Sequence, residues 1–507
     1  MTGDELLCQI RHAFAFEPTS GQLAAMDVFR RFVTSTDDRT VMIMRGAAGT
    51  GKTSVAGAIV RALRALHQKI VLLAPTGRAA KVFALNADCQ AFTIHRRIYR
   101  QKAFTGDMSG FQLGVNTQRD TLFIVDEASM IANRQSAEGA FGGGCLLDDL
   151  VSYVYSTDGC RMMLIGDTAQ LPPVGEDASP ALSSAFMSGY GLQVYDCNID
   201  EVLRQSYGSG ILFNATVIRR MILSDGSVIL PKIRFHGFAD IETVSGGDLV
   251  ERLADSYAGV GMDDTTVITR SNKRAGIYNN GIRAMVLDRE ESLSRGDMLM
   301  VVKNNYFWKA KNEILTTDSQ LSTLNSQLPT LNSQLSTLNS QLPTKESSFI
   351  ANGDRAKVMR VRNIREMYGL TFADATLSFP DYDDMELKAT VILDTLTTDA
   401  PALTREQQDA LFHGVLADYD DLARKTDRMK AVKEDPYYNA LQVKYAYAVT
   451  CHKAQGGQWA HVYIDQGYMT DDMLTPSYIH WLYTAFTRAT EKLFLVNWPK
   501  QQIENPT

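Results

Sequence analysis

The feature that most constrains the fold is the segment at residues 46–53, which reads GAAGTGKT and matches the pattern G-x-x-x-x-G-K-[ST]. Loops of this kind join a buried strand to a helix, and their backbone N–H groups cradle a phosphate chain. The flanks fit, because an apolar run at 41–44 precedes the loop and a helical pattern at 53–66 follows it. The segment therefore predicts a nucleotide-binding α/β domain. The alternative is a glycine-rich turn that binds no nucleotide.

The residues of this loop have candidate roles in binding ATP and Mg²⁺. Lys52 would reach the β- and γ-phosphates, and the Thr53 hydroxyl would bind the metal ion. The other loop residues predicted to contact the nucleotide are Gly46, Ala47, Ala48, Gly49, Thr50, Gly51 and Ser54.

Length and composition limit the class of protein. A chain of 507 residues has room for two to four domains. Its net charge of −7 argues against a polycation that coats nucleic acid, but leaves room for a local basic channel. No apolar run approaches the ~20 residues that span a bilayer, and the N-terminus lacks the pattern of a secretory signal. The six cysteines form no C-x-x-C pair, which predicts reduced thiols in a cytoplasmic protein.

Acidic and amide side chains follow two further predicted strands. In FIVDEASM at 123–130, Asp126 would hold Mg²⁺ and Glu127 would orient and deprotonate the attacking water. In GDTAQLPPVG at 166–175, Gln170 would contact the γ-phosphate or that water. Ligands bind at the carboxyl ends of parallel strands, so both segments are expected at the nucleotide. A simple helix N-terminus and a proline-rich turn are the alternatives.

Two arginines in the second half of the motif series are candidates for transition-state stabilisation. Arg204 lies in LRQ at 203–205, and Arg488 lies in YTAFTRAT at 483–490. A guanidinium that reaches the transferring phosphoryl group would stabilise its developing charge. A single arginine is more often a solvated surface residue, so the interpretation depends on the order of the motifs.

The alternation of apolar strands with helical patterns divides the chain into two α/β regions. The first covers residues 1–200, and the second is split between 201–295 and 440–507. Residues 296–439 lie between those halves and contain short β candidates. This segment predicts a small β-rich inserted domain.

A heptapeptide repeat lies inside that insertion at residues 319–344, with units such as SQLSTLN. Its leucines alternate at spacings of three and four, as they do along a coiled-coil seam. However, Pro329 and Pro343 interrupt the run, and the units lack charges and strong helix formers. The composition therefore favours a flexible surface insertion over an ordered amphipathic helix.

Taken in order, the motifs resemble those of superfamily 1 helicases, in the 5′→3′ branch that includes the RecD-like and Dda-like DNA helicases. The resemblance covers most of residues 19–500. Its most specific element is YAVTCHKAQGG at 447–457, which points to the RecD-like group. The full set in chain order is Gln22, 46–53, 73–81, 93–97, Asp126 with Glu127, 166–175, Arg204, 447–457 and Arg488.

The resemblance implies an α/β fold with two RecA-like domains and ATP between them. It implies that Gln22 reads adenine, that a β-hairpin inserted at 98–120 acts as a strand-separating pin, and that 296–439 is an SH3-like module. The repeat departs from the family pattern. The implied activity is 5′→3′ translocation on single-stranded DNA and unwinding of tailed duplex DNA, usually by a monomer.

Candidate DNA contacts come from the resemblance and from residue types. The resemblance implies contacts from two groups of residues: Thr76, Arg78 and Lys81 in the first region, and Thr450, His452, Lys453 and Gln455 in the second. Single strands are bound by positive charge together with aromatic stacking. The stretches at 95–102, which begins with His95, and at 303–311 combine both, and 355–365 has the pattern of a basic strand. A solvated charged face is the alternative for each.

We interpret the chain as an ATP-dependent DNA helicase with two rivals. One is a DNA-stimulated translocase or ATPase subunit of a recombination complex. The other is an ATP-switched nucleic-acid-binding module, which the complete set of hydrolytic residues disfavours. Other repair or recombination proteins would be its partners, and no sequence feature tests for contact with the 2′-OH of RNA.

Overall fold

The computed structural model describes residues 3–101, 111–134, 144–201, 208–224, 229–305, 307–308, 350–382 and 384–504. The chain forms two compact units. One contains the described residues up to Asp288 and those from Tyr447 onward, and the other contains those between Arg289 and Ala446. Arg204, the repeat at 319–344 and the central part of the hairpin segment lie outside the described residues.

The described part of the first α/β domain contains seven α-helices and eight strands. The helices are α1 (Gly3–Ala13), α2 (Ser20–Val33), α3 (Lys52–Ala65), α4 (Gly77–Ala87), α5 (Ile94–Ile98), α6 (Leu146–Val154) and α7 (Ser184–Ser188). The strands are β1 (Thr40–Gly46), β2 (Lys69–Ala74), β3 (Ala91–Thr93), β4 (Tyr99–Gln101), β5 (Phe111–Leu113), β6 (Thr121–Val125), β7 (Arg161–Gly166) and β8 (Gln193–Ile199).

Six of these strands form a parallel sheet in the order β3-β2-β6-β7-β1-β8. The predicted apolar run at 41–44 lies in β1, where all four side chains are buried, as expected for a strand covered on both faces. The loops that follow β1, β2, β6 and β7 leave the sheet at the same edge, and they carry the predicted motifs. The short strands β4 and β5 pair antiparallel within the segment predicted as a hairpin.

The second α/β domain begins with α8 (Gly210–Leu223), β9 (Ile241–Val244), α9 (Leu249–Gly259), β10 (Thr265–Thr269) and α10 (Asn272–Gly281), which a π-helical turn at Ile282–Val286 extends. The chain then enters the second unit. Its strands are β11 (Met298–Val301), β12 (Arg355–Met367), β13 (Leu370–Phe379), β14 (Met385–Ile392) and β15 (Leu441–Tyr445). Its helices, between β14 and β15, are α11 (Asp394–Thr397), α12 (Arg405–Ala417) and α13 (Lys425–Glu434).

The five strands of the second unit close into a small barrel. The pairs from β11 to β14 and the pair β11–β15 are antiparallel, whereas β14 and β15 are parallel. The closing strand β15 ends at Tyr445, beyond the boundary expected at 439. The short, mostly buried run at 441–445 fits a strand of a parallel sheet as well as a strand of a barrel. The sequence alone could therefore not assign this strand to the barrel.

The second α/β domain is completed by β16 (Ala448–Thr450), α14 (Cys451–Ala454), β17 (Trp459–Asp465), α15 (Pro476–Phe486) and β18 (Ala489–Val496). Its sheet has the order β16-β10-β17-β18-β9, and every pair in it is parallel. The fold class predicted from sequence, two RecA-like α/β domains with a β-rich insertion in the second, is confirmed. Among the described residues, no helix has the length and hydropathy that a membrane span requires.

The barrel packs against its own helices through an apolar cluster. Phe372 on β13 is fully buried in this cluster, with Ile392 of β14 and with Leu411 and Val415 of α12. Aromatic edges add to the packing, because the ring of Tyr437 lies 5.2 Å from that of Phe372 at 82°. The helices therefore cover one side of the barrel and share its core.

We expect Phe372→Ala to destabilise the second unit by about 3–5 kcal/mol, since it removes a buried aromatic ring and leaves a cavity. Hydrogen exchange of peptides from 355–392 would accelerate accordingly. The control is Ile364→Ala on β12, whose side chain is 57% exposed. Equal exchange in the two variants would contradict the assignment of Phe372 to this core.

Candidate nucleotide-binding site

The loop after β1 has a backbone that only glycine permits at its key positions. Gly49 and Gly51 have φ angles of +75° and +81°, in the left-handed region that other residues rarely adopt. A Cβ on Gly46 would lie 2.7 Å from the carbonyl oxygen of Ile199 and 2.9 Å from Thr50 Oγ1. The loop is therefore fixed as a tight cradle beside the end of β8.

Positive charge and the N-terminus of a helix meet at this cradle. Lys52 Nζ lies 2.8 Å from the carbonyl oxygen of Gly46 and 2.7 Å from that of Ala47. Helix α3 begins at Lys52, and Gly51 before it provides no side-chain cap. Thr53 and Ser54 lie half-buried in the first turn. An uncapped helix N-terminus beside an ammonium group fits a phosphate chain.

Gln22 joins the start of α2 to the cradle. Its Nε2 donates to the carbonyl oxygen of Thr50 at 3.0 Å, and its Oε1 accepts from the Thr19 N–H at 3.0 Å. Thr19 in turn caps the helix, and the two residues form a capping box. The predicted adenine-reading residue is thus buried and held against the phosphate loop, with both ends of its amide occupied.

Asp126 and Glu127 follow β6 at the same edge of the sheet. The Asp126 N–H donates to the Leu73 carbonyl oxygen at 2.9 Å, and Asp126 Oδ1 accepts from the Glu127 N–H at 2.9 Å. Burial raises the pKa of Asp126 to about 7; the Glu127 carboxylate adds to the rise and the Lys52 ammonium opposes it. Glu127 has a φ of +52°, and strain of this kind clusters at functional sites.

Asp126 and Glu127 suit a magnesium ion that takes most of its ligands from phosphate oxygens and water. Within the described part of the chain, no three His, Cys, Asp or Glu side chains form a metal cluster. Mg²⁺ commonly uses one or two protein ligands together with phosphate oxygens and water. Asp126 and the Thr53 hydroxyl are the residues available for that role, and a cation there would favour the charged form of Asp126.

The loop after β7 presents a buried carboxylate and an amide. Asp167 has no exposed surface, and its Oδ1 accepts from the Ala169 N–H at 3.0 Å. Gln170 is buried, and its Oε1 has no hydrogen-bond partner among the described residues. Buried polar atoms are rarely left unpaired. The Gln170 side chain therefore has hydrogen-bonding capacity left for a ligand.

Side chains from the second α/β domain reach this loop and the phosphate cradle. The Tyr483 hydroxyl on α15 donates to Asp167 Oδ2 at 2.5 Å and accepts from the Ala48 N–H at 3.0 Å. Thr484 Oγ1 accepts from the Leu171 N–H at 2.7 Å, and Gln455 Nε2 donates to the Leu171 carbonyl oxygen at 2.7 Å. The two sheets are thus bridged at the candidate site.

Arg488, a predicted arginine finger, is buried just beyond α15. Its three guanidinium nitrogens donate to the Thr484 carbonyl oxygen at 3.0 Å, the Gly457 carbonyl oxygen at 3.2 Å and Thr487 Oγ1 at 3.1 Å. In this conformation its hydrogen bonds stay within the second α/β domain.

Some of the predicted DNA-contacting residues are brought together from both domains. Thr76 caps α4 through a bond from the Ala79 N–H, and a Cβ on Gly456 would lie 3.1 Å from its hydroxyl. The Arg78 guanidinium lies 4.3 Å from the ring centroid of Trp459 and donates to the Gln458 carbonyl oxygen. The loop after β2 therefore contacts the loop before β17, although they come from different sheets.

The other residues predicted to contact DNA differ in their exposure to solvent. Lys81 and Lys453 are half-buried, Thr450 precedes α14 without capping it, and His452 is exposed. Burial lowers the pKa of His95 to about 4, so its ring is neutral near pH 7. Trp308, within the aromatic stretch at 303–311, is buried and donates from its indole N–H to the Asn439 carbonyl oxygen at 2.8 Å. Its ring is not presented for base stacking.

Three residues that join the domains were not predicted from the sequence to have a role of their own. Asp167 lies within the motif at 166–175, and Tyr483 begins the segment that contains Arg488. Arg219 on α8, which lies 3.9 Å from Asp167 through its Nε, has no motif. An acid directly after an apolar strand was a usable signal for Asp167, whereas the partners of Tyr483 and Arg219 depend on tertiary packing.

Two family models match the chain. An AAA domain matches residues 19–209, and a UvrD-like helicase C-terminal domain matches residues 445–496. The first segment contains the phosphate loop and the acidic motif, and the second contains the motif at 447–457 and Arg488. Both matches agree with the predicted resemblance to superfamily 1 helicases.

Individual relatives match to different extents. The ATP-dependent RecD2 DNA helicase of Deinococcus radiodurans is 31% identical over 135 residues, which are 26% of this chain and only 16% of that protein. An uncharacterized protein of Acanthamoeba polyphaga mimivirus is 22% identical over 529 residues, covering 89% of this chain and 94% of that one. A Pif1 helicase from Bacteroides, solved in complex with ADP-AlF3 and ssDNA, is 14% identical with a TM-score of 0.44; the match covers 97% of this chain and 95% of that one.

We expect Gly46→Ala to weaken the binding of ATP by at least about tenfold, because the loop must move and lose bonds to charged phosphate oxygens. Equilibrium binding of a fluorescent ATP analogue measures the effect. Gly276→Ala is the matched control, since a Cβ there meets nothing within 4 Å. Unchanged affinity in Gly46→Ala would contradict the assignment of the cradle.

Proposed function

We propose that this chain is an ATP-dependent DNA helicase that translocates 5′→3′ on single-stranded DNA and unwinds duplex DNA. The observation that carries the proposal is the bridge between the two sheets at the phosphate loop. Tyr483, Thr484 and Gln455 of the second domain hydrogen-bond to the loops that carry Ala48, Asp167 and Leu171. Binding or hydrolysis of the nucleotide would therefore alter contacts made by both domains.

The positions of the side chains support the proposed hydrolytic roles. Lys52 stabilises the β- and γ-phosphates, and Thr53 and Asp126 would hold Mg²⁺, which supplies charge neutralisation at the phosphoryl oxygens when bound. Glu127, beside Asp126, orients the attacking water and accepts its proton. Gln170, whose buried Oε1 is unpaired in the described structure, positions that water or senses the γ-phosphate.

Two arginines complete this proposal. Arg488 would stabilise the charge that develops in the transition state, and to do so it would exchange its bonds to Thr484 and Gly457 for a phosphoryl oxygen. Arg204, which lies outside the described residues, is proposed for the same charge stabilisation. An arginine that leaves internal partners only in the closed state would tie hydrolysis to domain closure.

Coupling to DNA is proposed to run through the loops that meet between the sheets. Gln455 binds the loop that carries Gln170, and it lies next to Gly456, which packs against Thr76. A nucleotide-dependent shift of one loop would therefore change the affinity of the other loop for single-stranded DNA. If the two domains bind the strand tightly in alternation, the protein moves along it in one direction.

The surfaces proposed to bind the strand carry positive charge. Lys81 and Arg78 lie on α4, and Lys453 lies on α14. The adjacent His452 is proposed as a polar contact, because desolvation lowers its pKa and leaves the imidazole largely neutral near pH 7. On the barrel, Arg360 and Arg362 of β12 are exposed, which suits contact with the phosphate backbone. The 5′→3′ direction is proposed from the resemblance to the RecD-like group, which the partial match to a RecD2 DNA helicase supports.

Strand displacement with ATP and Mg²⁺ tests the proposal on 5′-tailed, 3′-tailed and blunt duplexes. We expect unwinding of the 5′-tailed substrate only, and no ATP hydrolysis or unwinding by Lys52→Ala. The control Lys69→Ala removes an exposed lysine at the opposite edge of the sheet and should match the unmodified protein. Preference for the 3′ tail would overturn the polarity. DNA-stimulated hydrolysis without unwinding would favour a translocase that needs a partner, and DNA binding switched by ATP without turnover would favour a switch module.

For DNA binding, we expect Lys81→Ala and Lys453→Ala each to weaken affinity for single strands of any sequence. Each lost phosphate contact should also lower the slope of log K against log salt by about 0.7. Fluorescence anisotropy of a labelled oligonucleotide at several salt concentrations measures both quantities. Slopes equal to that of Lys69→Ala would remove these lysines from the proposed interface.

A further inference from the structure

The Tyr483 hydroxyl occupies a donor of the phosphate-binding loop. Tyr483 is 1% exposed, and its hydroxyl lies between Ala48 N at 3.0 Å and Asp167 Oδ2 at 2.5 Å. Burial, and secondly the Asp167 carboxylate, raise the pKa of Tyr483 well above its ordinary value. The hydroxyl therefore keeps its proton and donates it to Asp167, so its lone pair is what receives the Ala48 N–H.

Tyr483 belongs to a polar face of α15 that lies along the loop after β7. His480, Tyr483 and Thr484 have spacings of three and four residues, which place them on one side of a helix. His480 Nδ1 lies 2.9 Å from the Ala169 carbonyl oxygen, and Thr484 Oγ1 accepts from the Leu171 N–H at 2.7 Å. The helix is therefore attached to this loop by three side chains that lie within five residues of one another.

Asp167 makes the attachment strong because it is a fully buried carboxylate. Such a group needs hydrogen bonds and opposite charge to remain in the interior. Its side-chain partners among the described residues include the Ala169 N–H, the Tyr483 hydroxyl and, at 3.9 Å, the Arg219 guanidinium. Two of the three come from the second α/β domain, so Asp167 holds Tyr483 in the position where it meets Ala48.

We infer that Tyr483 is a positioning residue that competes with a nucleotide phosphate for the Ala48 N–H. The inference rests on the proposed function, because it takes ATP as the ligand of the loop. An N–H has a single hydrogen, and the loop folds so that its N–H groups face an anion. Nucleotide binding therefore frees the hydroxyl from Ala48 and leaves it with Asp167 alone.

This competition links the nucleotide to the position of α15. Two ligands that exclude each other at one donor have a coupling free energy, and the coupling is reciprocal. Attachment of α15 weakens nucleotide binding, and nucleotide binding loosens α15. The Thr484 carbonyl oxygen in this helix also accepts from Arg488 Nε at 3.0 Å. Movement of the helix would therefore weaken a hydrogen bond that holds Arg488, the arginine proposed to stabilise the transition state.

Tyr483→Phe tests the inference, because it removes the hydroxyl and keeps the ring. The dissociation constant of a fluorescent ADP analogue is measured with Mg²⁺ and without DNA. We expect Tyr483→Phe to bind about two- to tenfold tighter than the unmodified protein, the equivalent of one neutral hydrogen bond. In the unmodified protein that bond must be broken, whereas in the variant the Ala48 N–H is available from the start.

The matched control is Tyr463→Phe on β17. Tyr463 is also fully buried, and its hydroxyl bonds to Ser256 Oγ and to the Arg252 carbonyl oxygen, away from the cradle. Loss of that hydroxyl should lower thermal stability and leave nucleotide affinity unchanged. Equal affinity in the two variants would show that Tyr483 is only a packing residue. Weaker binding by Tyr483→Phe would show that the hydroxyl supports the nucleotide, and either result overturns the inference.

A second variant covers the case in which Tyr483→Phe does not fold. Thr484→Ala removes the bond from α15 to the Leu171 N–H and leaves Tyr483 in place. If attachment of the helix opposes nucleotide binding, this variant also binds the ADP analogue more tightly; unchanged or weaker binding contradicts the inference. Failure of the proposed nucleotide site is a separate result, since the unmodified protein would then bind no ADP analogue. Failure to unwind DNA is separate again, since it leaves nucleotide affinity measurable in all variants.

Discussion

A buried carboxylate holds the two sheets of this protein together at the candidate site. Asp167 has no exposed surface, and two of its partners, Tyr483 and Arg219, come from the other α/β domain. The cost of removing a charge from water makes those partners necessary. Because Tyr483 also reaches the Ala48 N–H, the same contact ties the second domain to the loop that would receive phosphate.

The elements around that contact lie close together because of the way that parallel strands end. The loops after β1, β2, β6 and β7 converge because parallel strands end at one edge of the sheet. The second domain meets that edge with α15 and with the segment that carries Gln455 and Gly456. Gln455, proposed for DNA contact, hydrogen-bonds to Leu171, which directly follows Gln170, proposed for chemistry. The two sets of residues are therefore linked through one loop.

Much of the fold was predictable from the sequence, for local reasons. Apolar runs such as 41–44 and 162–166 are buried strands, and the glycines of the phosphate loop dictate its backbone, so the predicted fold class is confirmed. The residues of strand β15 were assigned to the second α/β region, because a short apolar run fits a barrel or a parallel sheet equally well. The helices α12 and α13 were not predicted within the β-rich insertion. The partners of Tyr483, Asp167 and Arg219 were missed because they depend on packing between distant segments. The roles of the site residues stay predictions.

The position of the insertion has a consequence for synthesis of the chain. β10 and β16 are neighbours in the second sheet, yet about 180 residues separate their paired positions, a long loop to close before the pairing stabilises anything. The insertion reduces this cost, since β11 near its start pairs with β15 at its end. On the ribosome the first sheet can fold early, while the second has to wait for the insertion and for β16, α15 and β18. A nascent chain can therefore complete the phosphate loop long before it can make the helix that contacts it.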